Sequence, residues 1–543
     1  MPKIQDIILK YKLYLLPILT LCLYCLNKSF VFNLHDFGNS YFPALMLYDG
    51  QSPEKIVFDI YDFNLFAWQK GYNEALLDYY LNSPFSATFL YPFVYFKNAY
   101  SAKLFFNIIS IILFILSIEI LSKYIEKKNR LLIGLLPILF FIPIQNNILF
   151  GQFYLIIFAF TIFAFHFYFK KNSLFSAIFL SFAILTKVFP IFYGFSLLIN
   201  SKRRDFLYFF LSCLLLFLIS IFISGFSFWN IYLFDQLPTA FLNESTIGFQ
   251  FNVQSFDVFF KYLFFKDSFY NPNPILDNIF LFYLSIFLVK SLILGVTISF
   301  VNSHKTEVWK SLSCIIIALF LLQSRTASYS TVLWIIPMFV FISHSNSVVY
   351  KIIFCILLFF AFNFSYVRLP FFFQFSRLWL SLFLFVFLFE KSFFLPQNNI
   401  INTQFFVKFI RLNVQFFILA FMIFLPILLK GLFADFSDNS KYVLPNKGQF
   451  ITYDFKVENG KLVVFDLSKN GKEKLITNIA VSSFDTLSCK IKNNQIYLNQ
   501  QLIALPNSLK KKAVLVNQSE IYFLTDHHSR FGWFTLKKIK IND

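Results

Sequence analysis

The stretch NLHDFGNSYFPALMLYDG, Asn33 to Gly50, places the pair His35-Asp36 directly after the first apolar run of the chain. A carboxylate at the edge of a membrane is poorly solvated and close to anything carried on lipid. A base that must take a proton from a hydroxyl beside a bilayer would stand there. The same aspartate could also cap a helix beginning near Tyr41, or sit in an ordinary polar loop. Four other features put polar groups at the same end of the apolar runs. Gly151-Gln152 opens one run, Lys187 stands at a break closed by Pro190, Asn252-Val253-Gln254-Ser255 closes a polar loop, and Arg325 marks a turn. A carboxylate accompanied by Lys and Arg suits a proton acceptor working beside a lipid-borne phosphate. Each feature also has a plainer use. Lys187 can snorkel to headgroups, Arg325 can charge an outer turn, and Gly151-Gln152 can serve close helix packing with a capping amide.

The elements that must position these residues are membrane spans. The chain has 543 residues, of which 58% are hydrophobic, 22% aromatic and only 14% charged, with a mean hydropathy of +0.65. A soluble domain cannot carry that much apolar surface, so the class is a polytopic α-helical membrane protein. The net charge of +19 does not point to nucleic acid, because the basic residues fall in short clusters between apolar runs, where cytoplasmic loops carry them. Cys22, Cys25, Cys213, Cys314 and Cys355 lie in apolar runs and Cys489 in the polar tail, so no disulfide framework is implied. Cys22 and Cys25 have redox spacing without a second pair, and read as apolar filler. His527-His528, lacking Cys or carboxylate spacing, reads as a surface loop. No metal site and no cofactor are expected, and the absence of a phosphate-cradling Gly loop argues against a nucleotide-driven pump or a nucleotide-sugar enzyme.

Thirteen crossings fit the basic clusters. The first, near Leu13 to Phe32, starts in the cytoplasm after Lys3, Lys10 and Lys12 and reads as uncleaved. External loops of about 33–98 and 225–273 follow from the alternation. The acidic first loop reads as surface-lying amphipathic helices, and Pro84 to Phe96, too short to span, as re-entrant or interfacial. Spans near 131–145 and 148–169 turn at Gln145-Asn146-Asn147. The run Ser173 to Asn200 begins and ends on the same side, so it must be two half-helices broken near Lys187. After residue 433 the composition changes. Residues 434–543 alternate in short runs separated by turn signals such as Asn459-Gly460 and Asn493-Asn494, and read as a small all-β domain outside the membrane. Residues 1–433 form the membrane domain.

The order HDFGNSYFPALMLYDG, SATFLYPF, FGQFYLIIF, AILTKVFPIFYGF, NVQS and SRTASYSTVLWIIP, over roughly the first 340 residues, resembles the GT-C superfamily of membrane glycosyltransferases, closest to glycosyltransferase family 87, formerly DUF2029. The β tail lies outside the resemblance. It implies a GT-C-like fold and inverting transfer of a sugar, often mannose, from a polyprenyl-phosphate donor to a glycan or glycolipid acceptor on the outer face of the plasma (inner) membrane. By this analogy Asp36 is the general base, Lys187 and Arg325 offset the charge of the leaving phosphate, and His35, Gln152, Asn252 and Tyr329 line the substrate site. The family often has a His after a Ser-Pro turn; here Arg325 follows Ser324, and Tyr329 stands near that position. Two other classes fit the same topology: a transporter or flippase for lipid-linked glycans, and an envelope assembly protein that works by binding through its β domain. The lack of evident internal repeats favours the enzyme.

Overall fold

The computed structural model describes residues 12–75, 77–126, 129–199, 201–242, 248–249, 253–344, 348–364, 368–393, 413–433, 438–445, 452–467, 473–480, 483–485, 487–528 and 531–541. Among them, helices occupy the chain as far as Phe433, and strands follow from Lys441. Four helices are long and apolar enough to cross a membrane: Ala99–Ser122, Arg203–Ser224, Ile279–Ser303 and Val414–Phe433. The pair Leu132–Leu139 and Phe141–Phe150 would make a fifth span, bent by 64°. The remaining apolar helices, among them Tyr154–Phe169, Ser173–Thr186 and Val308–Leu322, run 10–17 residues, below the roughly 20 residues that a perpendicular crossing takes. The helices are those of a membrane protein, and a total of thirteen crossings would need the short ones to cross as well.

Local chemistry explains where the elements break. Asn98 caps the helix Ala99–Ser122 by accepting from the Ser101 amide. The helix Ser173–Thr186 ends where Lys187 turns extended, and Ile191–Leu198 begins after Pro190, the break expected from the sequence. The open carbonyls there are not left bare: Ser83 donates its hydroxyl to Leu185 and Thr186. One expected boundary is corrected. Gln145, Asn146 and Asn147 do not form a turn but lie inside the helix Phe141–Phe150, which ends at Gly151. Two of their side-chain amides reach another segment: Asn146 donates to Ser328 Oγ at 2.8 Å and Asn147 to the Tyr329 carbonyl at 2.7 Å. The long helices Ile279–Ser303 and Val414–Phe433 meet through glycines. A Cβ at Gly295 would stand 2.6 Å from the Phe417 ring, and one at Gly431 2.6 Å from Tyr283 Cβ.

The first polar loop is folded into the protein rather than spread on a bilayer surface. His35–Tyr48 is a helix whose residues Phe37 to Ala44 are all buried, and Ile60–Gln69 is a second, capped by Asp59. Pro84–Leu90 and a 3₁₀ turn Tyr91–Tyr95 follow, also largely buried.

The tail forms three antiparallel sheets. The largest has the order β1-β11-β10-β9-β5, with β1 Lys441–Leu444, β5 Phe484–Asp485, β9 Lys510–Val516, β10 Glu520–Thr525 and β11 Thr535–Lys540. The others are β2-β3-β4 (Tyr453–Glu458, Lys461–Leu467, Glu473–Ala480) and β6-β7-β8 (Cys489–Lys492, Gln495–Leu498, Gln501–Ile503). Asn459, Asn493 and Asn494 take positive φ at the hairpin turns, the conformation their side chains tolerate best after glycine. Alternate residues Val514, Leu524, Leu536, Val464 and Leu462 close the core between sheets.

This β region packs on both polar loops. Phe531 and Trp533 bury with Ile60 and Tyr79, Lys511 pairs with Asp59 at 2.9 Å, and Tyr442 donates to Asp267 at 2.8 Å. Burial opposes the charge of Lys511, but Asp59, Asp454 and Asp62 outweigh it and hold the ammonium above its usual range. His527 and His528 are buried, not in a surface loop as their spacing suggested. The rings of Phe249 and Phe265 from the second polar loop cover His528, and Lys537 anchors Asp438 beside His527.

Burial, then the neighbouring His527, Lys261 and Lys537, push His528 well below its ordinary pKa of 6.5. A neutral His528 in the folded chain that charges on unfolding contributes stability above pH 6.5 and loses it as pH falls below that value. Asp438 is held well below its ordinary range despite its burial, by His527 and Lys537, so its own loss comes only in stronger acid. The full-length protein in detergent should therefore melt lower at pH 5.5 than at 7.5, with a slope of up to about 1.4 kcal/mol per pH unit from one group, and His528→Phe should flatten that slope.

Candidate active site

The helix His35–Tyr48 presents Asp36 in its first turn, where the unpaired amides and the axial dipole favour a negative charge. His35 enters the helix at φ 36°, a left-handed conformation that costs a residue with a Cβ about 1 kcal/mol or more. Its Nδ1 lies 3.2 Å from Asp36 Oδ1, and its ring stacks on Phe150 with centroids 4.5 Å apart. On the other side of the carboxylate, Gln152 donates its side-chain amide to Asp36 Oδ2 at 2.5 Å. Gln152 is buried, while Asp36 keeps a tenth of its side chain exposed.

Gly151 makes this bond possible. It ends the helix Phe141–Phe150 at φ 67°, and a Cβ there would stand 2.6 Å from Phe37 Cβ, beside Asp36. Only a glycine lets the two backbones approach closely enough for the next residue, Gln152, to reach the carboxylate.

Beyond Phe150 the rings continue. Tyr329 meets Phe150 at 6.2 Å and Tyr154 at 5.4 Å, and Lys187 Nζ lies 4.7 Å from the centre of the Tyr154 ring. The structure thus brings His35, Asp36, Gln152, Tyr329 and Lys187 into one continuous neighbourhood. Tyr329 sits in a seven-residue 3₁₀ stretch, Ser328–Trp334, longer than such turns usually run. Lys187 is half-buried at the helix break, and its ammonium lies over the Tyr154 ring.

Arg325 stands on the loop leading into Tyr329. That loop is clamped by the segment before it in space: Ser255 donates to the Ser324 carbonyl at 2.8 Å, and Thr326 to the Gln254 carbonyl at 3.1 Å. Beneath lies an ion pair that sequence reading missed. Lys290, in the middle of a long apolar helix, meets Asp257 at 2.8 Å, and Ser324 shares it at 3.2 Å. Asn252, expected to line the same site, lies outside the described residues; its neighbours Gln254 and Ser255 do reach the Arg325 loop. A second missed residue is Lys103. Its Nζ donates to the Asn33 carbonyl at 2.8 Å, two residues from His35, and its charge reaches Asp36. A lysine inside an otherwise apolar span was the available signal in both cases.

Residues 80–324 match the model of glycosyltransferase family 87. The chain is a glycosyltransferase. The family 87 match contains Gln152 and Lys187 and ends one residue short of Arg325; Asp36 precedes it and is tied to it by the Gln152 amide. No curated protein matches the chain.

Three outcomes test this geometry. Gly151→Ala should cost about 2–4 kcal/mol, from the left-handed backbone and the clash with Phe37, read as a lower melting temperature. Gln152→Leu should leave stability within about 1 kcal/mol but lower sugar transfer about tenfold, the loss expected for one hydrogen bond to a charged group. Lys290→Met strands Asp257 in the interior and should cost about 3–5 kcal/mol, with Lys290→Met/Asp257→Leu recovering much of it in the same melting assay.

Proposed function

We propose that this glycosyltransferase moves a sugar, mannose or a similar hexose or pentose, from a polyprenyl-phosphate donor to a glycan or glycolipid acceptor, with inversion, on the outer face of the plasma (inner) membrane. The observation that carries the reading is the Gln152–Asp36 bond. It holds a carboxylate at a helix N-terminus against the residues that match family 87, with cationic Lys187 and Arg325 on neighbouring segments.

In this reading Asp36 takes the proton of the acceptor hydroxyl. The oxygen attacks the anomeric carbon as the bond from that carbon to the phosphate oxygen breaks, and the polyprenyl phosphate leaves with the electron pair. Gln152 occupies Oδ2, which leaves the other oxygen, and its partner His35, nearer the acceptor. Lys187 and Arg325 offset the charge gathering on the phosphate. Tyr329 and Tyr154 provide an aromatic wall for the sugar or the first isoprene unit. The single carboxylate suffices because an inverting transfer needs one base and a leaving group that departs without protonation. Residues 434–543 form a separate domain on the same side as the two polar loops, and the packing of Trp533 and Tyr442 on those loops supports that side being the one that holds the site.

Labelled polyprenyl-phosphate sugars supplied to membranes carrying the wild-type chain should give transferred product. Asp36→Asn, inserted to the same level, should lose about a hundredfold or more, the range for a general base. Equal product from both removes Asp36 from the mechanism. Lipid moving between leaflets with no product from either would favour a flippase.

A further inference from the structure

The β region touches the helix that carries Asp36 through a chain of two hydrogen bonds. Trp533, buried just before β11, donates its indole N–H to Asp78 Oδ1 at 2.8 Å. The Asp78 backbone amide donates to Asn39 Oδ1 at 3.1 Å. Asn39 is buried one turn beyond Asp36 on the same helix face. The contact is built on both sides. Gly532 has φ 74° and lies so close to Tyr79 and Ile60 that a Cβ would stand 2.5 Å and 2.9 Å from them. The Phe531 ring meets Tyr79 edge-on at 4.0 Å. The Tyr79 hydroxyl bonds Gln236 of the second polar loop, and Asn64 exchanges two bonds with Leu77, at 2.8 and 3.0 Å. The segment 77–83 is therefore held between the active-site helix and the β region, and Ser83 at its end carries the contact on to the break at Lys187.

We infer that Trp533 is a positioning residue of the glycosyl transfer reaction: the β region completes the active site, setting the helix that bears Asp36 through Asp78 and Asn39. This rests on Asp36 being the base. An indole-to-carboxylate bond fixes Asp78, whose amide then fixes the helix from the face next to the carboxylate; a small rotation of that helix would swing Asp36 relative to Gln152 and the acceptor. Catalysis is sensitive to such displacements because the reacting groups must be held within a fraction of an ångström. The β region thereby acts on turnover without touching substrate.

The test uses the full chain in membranes. Trp533→Phe keeps an aromatic ring in the pocket and removes the indole N–H together with the fused five-membered ring. It should lower kcat about tenfold, the worth of one bond to a charged acceptor, with the donor KM changed less than about twofold. Asn39→Ala breaks the next link and should give a similar loss, and the double variant should lose no more than the worse single one, because both cut the same chain. Wild-type turnover in Trp533→Phe, or losses that multiply in the double variant, would overturn the inference. Amide exchange over residues 36–42 provides a readout independent of Asp36 chemistry. Faster exchange in Trp533→Phe supports the coupling even if Asp36→Asn retains activity, which would instead remove Asp36 as base. Unchanged exchange together with unchanged kcat refutes the coupling.

Discussion

The approach of Gly151 to Phe37 is the constraint on which the site depends. A helix that ends in a left-handed glycine against the first turn of another leaves no room for a side chain at the crossing. In exchange, the next residue meets a carboxylate that would otherwise stand in a poorly hydrated place with one edge unsatisfied. The amide of Gln152 supplies that edge. A neutral donor completes the carboxylate's hydrogen bonding without adding a charge beside it. Lys187 stands further off, at the end of the ring path through Phe150, Tyr329 and Tyr154.

The second theme is that polar groups inside an apolar protein are satisfied by segments distant in sequence. Ser83 covers the carbonyls left open at the broken helix before Lys187, Asn146 and Asn147 bond to the segment of Tyr329, and Lys290 supports the loop of Arg325 through Asp257 and Ser324. Each bond serves two ends: it removes a desolvation cost and it fixes a piece of the site. Irregular backbone inside an apolar protein persists only when its free groups find partners, so the breaks and the polar residues that close them belong together.

Much of this was legible in the residues. The break at Lys187 and Pro190 followed from an apolar run too short to go out and back as one helix. Eight of the strands followed from alternation and Asn-rich turns. Asp36 and Gln152 could be singled out by type and place, but their contact could not, because the approach of two helices is set by tertiary packing that leaves only a lone glycine as its trace. The turn at Gln145–Asn147 was misplaced for a related reason. Three polar residues in an apolar run look like an exit to water, while in the fold the amides of Asn146 and Asn147 reach Ser328 and Tyr329. His527 and His528 misled in the same direction, since two imidazoles read as surface residues until the aromatic loop that covers them is known. The buried pair of Lys290 and Asp257 was hidden by distance: neither residue signals the other across the chain.

The bond between Trp533 and Asp78 joins residues 455 positions apart in the chain. At ribosomal rates of about 5–20 residues per second, that separation amounts to roughly 20 to 90 seconds between the emergence of the two partners. Throughout that interval the segment 77–83 must stand with its indole partner unmade and with Ile60 and Tyr79 uncovered. The first polar loop is thus an apolar surface waiting for its lid during biogenesis, a period in which insertion and folding factors, rather than the protein itself, must keep it from other company.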